Sequence, residues 1–209
     1  MALGTNFYES RIGARLYDLL MVPVERRSVG RWRRKAWKEV PPGGVGLEVG
    51  AGTGLNFPHH PPDARVVAMD RSLEMLRRAR GRGSGSGVTL VVADAEALPF
   101  RDGAFDWAAE TLVFCEVGEP EQGFREMARV VRPGEPLILL EHVRPSGWLG
   151  RVADWLTAVS APLWGEHFNR RAAASVRAAG LSIERQHWLW RDGVTLLVAH
   201  SSSPHARDG

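Results

Sequence analysis

V-G-L-E-V-G-A-G-T-G-L-N, residues Val45 to Asn56, is the stretch from which the rest of the chain is read. Val45, Leu47 and Val49 alternate as a short buried strand does, and the strand runs into Gly50, Gly52 and Gly54. Glycine lets the backbone turn sharply and lets a ligand approach where a Cβ would stand. A strand, a glycine turn and a helix build a ligand crevice at the carboxyl edge of an open α/β sheet. The dinucleotide fingerprint G-x-G-x-x-G needs a small residue five places after its first glycine, and Leu55 stands there instead. The pattern is therefore E-x-G-x-G-x-G, Glu48 through Gly54. Taken alone, the glycines also fit a merely tight strand-to-helix turn.

A chain of 209 residues makes one domain with a core that needs no covalent staples. Its 44% hydrophobic and 24% charged residues are globular values. The single cysteine, Cys115, excludes a disulfide framework and fits a reducing cytoplasm; it reads as a packing residue rather than a nucleophile. No apolar run approaches the ~20 residues of a spanning helix, and no signal-peptide core is present. The net charge is +3 and the isoelectric point about 9.6, with arginine supplying nearly all the positive charge. That balance permits contact with anionic surfaces without requiring it. The seven histidines show no H-E-x-x-H or Cys–His spacing, so no metal is expected.

Residues 1–40 read as a helical cap. Phe7, Ile12, Leu16, Leu19 and Leu20 share a helical face near Tyr8, Tyr17 and Asp18, and Pro23 is expected to break the run. A second helix from about Val24 carries Arg26, Arg27, Arg31, Arg33, Arg34, Lys35 and Lys38 around Trp32 and Trp37. Such a basic tryptophan helix either lies on an anionic membrane or presents a solvated face whose arginine stems cover their neighbours. No nucleic-acid-binding module accompanies the charge.

Residues 41–200 form the main domain. A second strand, Arg65 to Met69, ends at Asp70, whose carboxylate can accept ribose hydroxyls or open the helix that Ser72 and Glu74 begin and that runs to about Arg80. Gly81 to Gly87 is a flexible connection. The third strand, Val88 to Val92, leads into A-D-A-E-A-L-P-F, Ala93 to Phe100. The fourth runs from Phe105 to Val113 and places Glu110 and Thr111 near its end. Pro120 and Glu121 start a helix that closes before Arg132-Pro133-Gly134. The fifth strand, Leu137 to Leu140, ends in Glu141-His142. Trp148, Leu149, Val152, Trp155, Leu156 and Val159 repeat at helical spacing as far as Pro162 and Trp164, as an apolar lid or as ordinary core packing. Asn169 is expected to cap the next helix and Gly180 to end it. Leu181 to Trp190 and Val194 to Ala199 flank Asp192-Gly193, a tight-hairpin signal that makes the last strand antiparallel. Residues 201–209 are a polar tail.

Together these words resemble the class I S-adenosylmethionine (SAM) methyltransferases from about Val45 to Ala199. D-A-E-A-L-P-F, Asp94 to Phe100, is similar to the ubiquinone-biosynthesis-like group. T-L-V-F-C, R-P-G, L-L-E-H-V and the tryptophan-rich insertion with P-L-W resemble the methyltransferase-like 7 branch of alkyl-thiol methyltransferases; Glu135 departs from the usual R-P-G-G. The resemblance implies an α/β, Rossmann-like fold: a seven-stranded, mostly parallel sheet with an antiparallel last strand, N-terminal helices and a helical insertion after the fifth strand. It implies methyl transfer from SAM to a small, lipophilic acceptor, a thiol favoured. It assigns Asp70 to the ribose, Asp94 to the adenine amine and the Ala95 amide to an adenine ring nitrogen. Glu48, Gly50, Ala51, Gly52 and Asn56 belong to the same cofactor site, as do Tyr17, Arg71, Glu110 and Thr111. Glu141 and His142 are the expected catalytic pair, His142 accepting a thiol proton, with a structural histidine as the alternative. Rival readings are phospholipid amine N-methylation at an anionic membrane, a non-catalytic SAM- or nucleic-acid-binding module, and an NAD enzyme.

Overall fold

A computed structural model describes residues 10–83, 87–164, 167 and 169–201, with the backbone alone at 20 and 161–164. Phe7, Tyr8, the 84–86 part of the glycine–serine connection, the tail from 202, and the side chains of Leu20, Pro162 and Trp164 lie outside the described residues. Among the described residues the strands are β1 (Val45–Val49), β2 (Arg65–Asp70), β3 (Val88–Val92), β4 (Trp107–Thr111), β5 (Pro136–His142), β6 (Leu181–Trp190) and β7 (Val194–Ser201). They form one sheet in the order β3-β2-β1-β4-β5-β7-β6. β1 to β5 pair in parallel, and β7 lies antiparallel between β5 and β6.

Strand alternation divides the core between the two sides of this sheet. Leu47, Val49, Ala108, Leu137 and Leu139 pack with Phe124, Met127 and Val130 of α4 (Pro120–Val130) and Val176 of α6 (Ala172–Ala178). Trp107, Ala109, Ile138 and Leu140 pack against Ala36 and Trp37 of α2 (Gly30–Trp37). Trp37 meets Trp107 edge-on, with ring centroids 6.0 Å apart. The tryptophans of the basic helix therefore face inward while Arg31, Arg34, Lys35 and Lys38 are exposed, which is the solvated-face arrangement.

Several local expectations change. Helix α1 (Arg11–Val24) runs through Pro23 instead of stopping there. Proline removes one N–H and crowds the preceding turn, yet the helix continues past it, and a π-helical turn, Glu25–Val29, follows before α2. Helix α3 (Leu73–Arg82) starts at Ser72 as expected, the Ser72 hydroxyl accepting from Met75 N, but continues two residues past Arg80. Helix α5 (Gly147–Trp164) includes Pro162. Asn169 does not cap α6, whose N-cap position is Arg171; Gly180 does close it, at φ +85°. In the β6–β7 hairpin the left-handed residue is Arg191, not Gly193. Gly193 is needed for space, because a Cβ there would lie 2.8 Å from the Trp190 ring.

A buried ion ties the N-terminal helices to the loop after β1. Arg33, 5% exposed, donates to Glu25 Oε1 (2.8 Å) and to Asn56 Oδ1 (2.7 Å). Asn56 in turn donates to Glu48 Oε1 (2.7 Å), and His60 Nε2 meets Glu48 Oε2 at 2.8 Å. Replacing one member of such a chain leaves buried partners unpaired. Arg33→Met should lower the unfolding free energy by about 3 kcal/mol in urea denaturation followed by tryptophan fluorescence.

Candidate active site

β1 hydrogen-bonds to β2 on one side and β4 on the other, so the chain reverses its winding direction there. Ligand crevices in open α/β sheets form at such a point, outside the carboxyl ends of the strands. An open cleft occupies this place. Its floor is Gly50, Gly52, Met69 and Asp70; one flank is Arg71, Ser72, Met75, Ala93, Asp94, Ala95 and Glu96; the other is Tyr17, Thr111, Leu112, Val113, Glu116 and Val117.

The glycine loop shapes the floor. Gly50 (φ +69°) and Gly52 (φ +54°) both take the left-handed backbone that disfavours a Cβ, for different ends. At Gly50 a Cβ would lie 2.2 Å from Val113 Cγ2, so the loop and the β4 end close on each other. At Gly52 a Cβ would meet nothing within 4 Å and would stand in open space. Ala51 N donates to Met69 O (2.8 Å), and Gly52 N donates to Asp70 Oδ2 (2.8 Å). Asp70 Oδ1 accepts from Ser72 N (2.8 Å). Asp70 therefore opens α3 and holds the glycine loop at once, and burial pushes its carboxyl above the usual range, against the two backbone hydrogen bonds. Asp94 Oδ1 accepts from Glu96 N (2.9 Å), which fixes the turn that presents Ala95.

Helix α1 closes the other side. Tyr17 lines the cleft, and burial pushes its phenol up to about 12. Asp18 accepts from Thr53 Oγ1 (2.6 Å) in the glycine loop and from Arg78 (2.7 and 3.0 Å) in α3. Burial raises its carboxyl, but the bonds from Thr53, Arg78 and Arg82 prevail and hold it below the ordinary value. This clamp was missed in the sequence; its only trace is Asp18 directly after Tyr17 on the first helix. The wall from Leu112 to Val117 was missed in part, because it depends on Leu112 at φ +58°, which no residue pattern marks.

Of the expected site residues, the cleft gathers Tyr17, Gly50, Gly52, Asp70, Arg71, Asp94, Ala95 and Thr111. Thr111 Oγ1 is buried there with no hydrogen-bond partner among the described residues. Glu48 and Asn56 stand on the α2 side of β1 in the Arg33 network, and Ala51 turns away beneath the loop. Glu110 and Glu141 are buried under the β4 wall. His142 shares the opposite face of β5 with Ile138 and Leu140, where burial lowers its imidazole to about 4. Neither Glu141 nor His142 lines the cleft, contrary to the expected catalytic placement. The described part of α5 does not line it either: its small side chains Ala153, Thr157 and Ser160 face inward, while Trp148, Val152, Trp155 and Val159 are exposed. It is thus neither the expected lid over the cleft nor ordinary core.

Residues 47–139 match the family described as a methyltransferase domain. This stretch of the chain is similar to a methyltransferase domain. The chain is 35% identical over 133 residues to the demethylmenaquinone methyltransferase of Renibacterium salmoninarum (62% of this chain, 55% of that protein). It is 38% identical over 132 residues to the phosphatidylethanolamine N-methyltransferase of Cereibacter sphaeroides (60% and 65%) and 36% identical over 102 residues to the human thiol S-methyltransferase TMT1A (46% and 42%). The chain spans about half the length of the curated relatives it matches. The fold of the chain is similar to that of a SAM-dependent methyltransferase from Thermotoga maritima, at TM-score 0.70, 22% identity, and coverage of 94% of this chain and 100% of that one. Among the described residues no cluster of His, Cys, Asp or Glu is placed to hold a metal ion, and no helix is long and apolar enough to cross a membrane.

The two glycines should separate in thermal unfolding. Gly50→Ala combines a left-handed backbone with overpacking against Val113 and should cost about 3 kcal/mol. Gly52→Ala carries only the backbone term, about 1 kcal/mol.

Proposed function

We propose that this chain is a SAM-dependent methyltransferase that moves a methyl group to a small, apolar acceptor, a thiol first among them. The observation that carries the reading is the cleft at the β1–β4 reversal, with a glycine floor that holds no Cβ and a carboxylate at the end of each of the next two strands. The residues fit the cofactor: Gly52 leaves open space, and Thr111 Oγ1 has unused bonding capacity.

Asp70 would take the ribose hydroxyls, Asp94 and the Ala95 amide the adenine, and Gly50, Gly52, Tyr17 and Thr111 the methionine end. Bound SAM supplies an electrophilic methyl on a positively charged sulfur. The chain's own contribution is alignment and exclusion of water, and alignment alone is worth several kcal/mol. A thiol of pKa near ~8.5 is already partly thiolate at neutral pH. The reading therefore gives Glu141 and His142 no proton-transfer role, in keeping with their absence from the cleft lining.

A second acceptor class, a phospholipid amine, is favoured by one observation. α1 exposes Ile12, Leu16, Leu19 and Val22 beside Arg11 and Arg15, and α5 exposes Trp148 and Trp155. Apolar side chains flanked by arginine are what an anionic membrane surface binds. The likeness to a thiol, a quinone-pathway and a phospholipid enzyme leaves the acceptor to experiment.

Incubation with methyl-labelled SAM and a panel of alkyl thiols, quinols and ethanolamine lipids, read by product mass, should place the label on thiol sulfur. Label on the lipid amine, together with liposome co-sedimentation that depends on anionic lipid, would select the second class. Absence of transfer to every acceptor, with SAM still bound, would make the chain a binder. Gly52→Ala should remain folded yet lose at least tenfold in affinity for S-adenosylhomocysteine by calorimetry, because its Cβ enters the cleft.

A further inference from the structure

Glu110 at the end of β4 and Glu141 at the end of β5 are fully buried, and the residues so far assigned to the cleft make no use of them. The adjacent parallel strands place Glu110 opposite Leu139, so its side chain and that of Glu141 leave the same face of the sheet. Both converge on one donor. Val113 N donates to Glu110 Oε2 and to Glu141 Oε1, each at 3.2 Å, and Phe114 N donates to Glu141 Oε1 at 2.7 Å. The segment they hold begins with Leu112 in the left-handed region, a conformation that costs a non-glycine residue on the order of 1–2 kcal/mol. It continues through Val113, whose side chain packs against Gly50, to Phe114, stacked on Phe124 with centroids 4.0 Å apart. Leu112 and Val113 are cleft wall.

We infer that Glu110 and Glu141 are positioning residues, a carboxyl pair that keeps at least one proton between them and so holds the Leu112–Phe114 wall against the glycine loop. The cleft's role as a SAM site rests on the function proposed above; the pair's effect on the wall does not. Two carboxylates accepting from one N–H in a fully buried site repel, so they do not both ionise at neutral pH. Burial first, and then the charge of Glu141, push Glu110 well above the carboxylate range. Burial raises Glu141 to about 7, opposed by its neighbour Glu110 and by hydrogen bonds from Phe114 N and Val113 N. Glu110 Oε1 has no hydrogen-bond partner among the described residues and is thus placed to carry the proton, while Glu141 accepts from the two wall amides.

Among the described residues the surroundings offer one cation. Arg170, which donates to Val117 O at 2.7 Å, lowers Glu141. His167 in the same segment is lowered by burial and by Arg170, and is neutral at pH 7. Across the strands the neighbours are uncharged: Val49 opposite Glu110 and Thr195 opposite Glu141. From α4 the wall meets Phe124.

The sign of the linkage follows from the raised values. The folded protein keeps protons that the unfolded chain releases near pH ~4.3, so the pair's contribution is fully present below that pH. It is lost as the pH rises through the raised range of the pair. Each retained proton changes the unfolding constant by up to tenfold per pH unit.

The test has three readouts on the full chain: denaturant unfolding from pH 5 to 9, amide exchange at Val113 and Phe114, and calorimetric affinity for S-adenosylhomocysteine. Wild type should lose stability with rising pH. Glu110→Gln supplies a permanent donor and should flatten that slope, keeping affinity within about threefold at pH 7. Glu141→Ala should lose exchange protection at both amides and at least tenfold in affinity. If alanine does not fold, Glu141→Gln replaces it, with a flattened slope and weaker protection at Phe114 expected. A wild-type slope in Glu110→Gln, or full protection and affinity in the Glu141 variant, would overturn the inference. If wild type binds no adenosyl ligand at any pH, the methyltransferase reading fails, while the slope and exchange readouts still decide the pair.

Discussion

The absence of a Cβ at Gly50, where the loop after β1 meets the Val113 side chain, is the constraint on which the site depends. The sheet reverses its winding between β1 and β4, and a crevice opens there only if the two strand ends approach without filling the space between them. Contact at Gly50 closes the base of that crevice, and the vacancy above Gly52 leaves its interior open. The same loop is drawn toward β2 by Ala51 N on Met69 O and by Gly52 N on Asp70. Three strand ends are thereby held by one short loop. The cleft is a consequence of backbone geometry before any side chain contributes to it.

Buried charge serves this protein mainly as mechanical connection. Asp18 ties α1 to Thr53 and to Arg78, and Arg33 ties the π-helical turn to Asn56 and Glu48. Glu141 grips two amides of the cleft wall. Each such tie costs desolvation and is tolerated because every charge has several partners. They join the N-terminal helices and the wall to the first motif, where apolar contacts alone would allow sliding. The exposed side of the molecule shows the opposite economy: α1 and α5 leave large apolar side chains in solvent while α5 turns its small ones inward.

Much of the sheet was legible because its signals are local. Val45, Leu47 and Val49 alternate, Val88–Val92 is a β-branched run, and Ser72 and Pro120 begin helices where capping chemistry says they do. Asp192-Gly193 marked the hairpin that makes β7 antiparallel, although the left-handed residue proved to be Arg191. Legibility was poorer where two local rules compete. Pro23 and Pro162 read as breaks, yet both lie within helices. Asn169 looked like a cap, but the helix starts later, at Ala172.

By itself, the order of residues determined the fold class, the glycine floor and the carboxylates at the tips of β2 and β3, because strand periodicity, turn chemistry and spacing act within a few residues of each other. Only the tertiary structure decided which acidic and polar groups reach the cleft. Glu48, Asn56, Glu141 and His142 sit close in sequence to cleft residues but project into the sheet's interior or its far face, since successive side chains on a strand point to opposite sides. Asp18 and Val113 join the site from 35 and 63 residues away from Thr53 and Gly50, through packing between elements that no local pattern encodes.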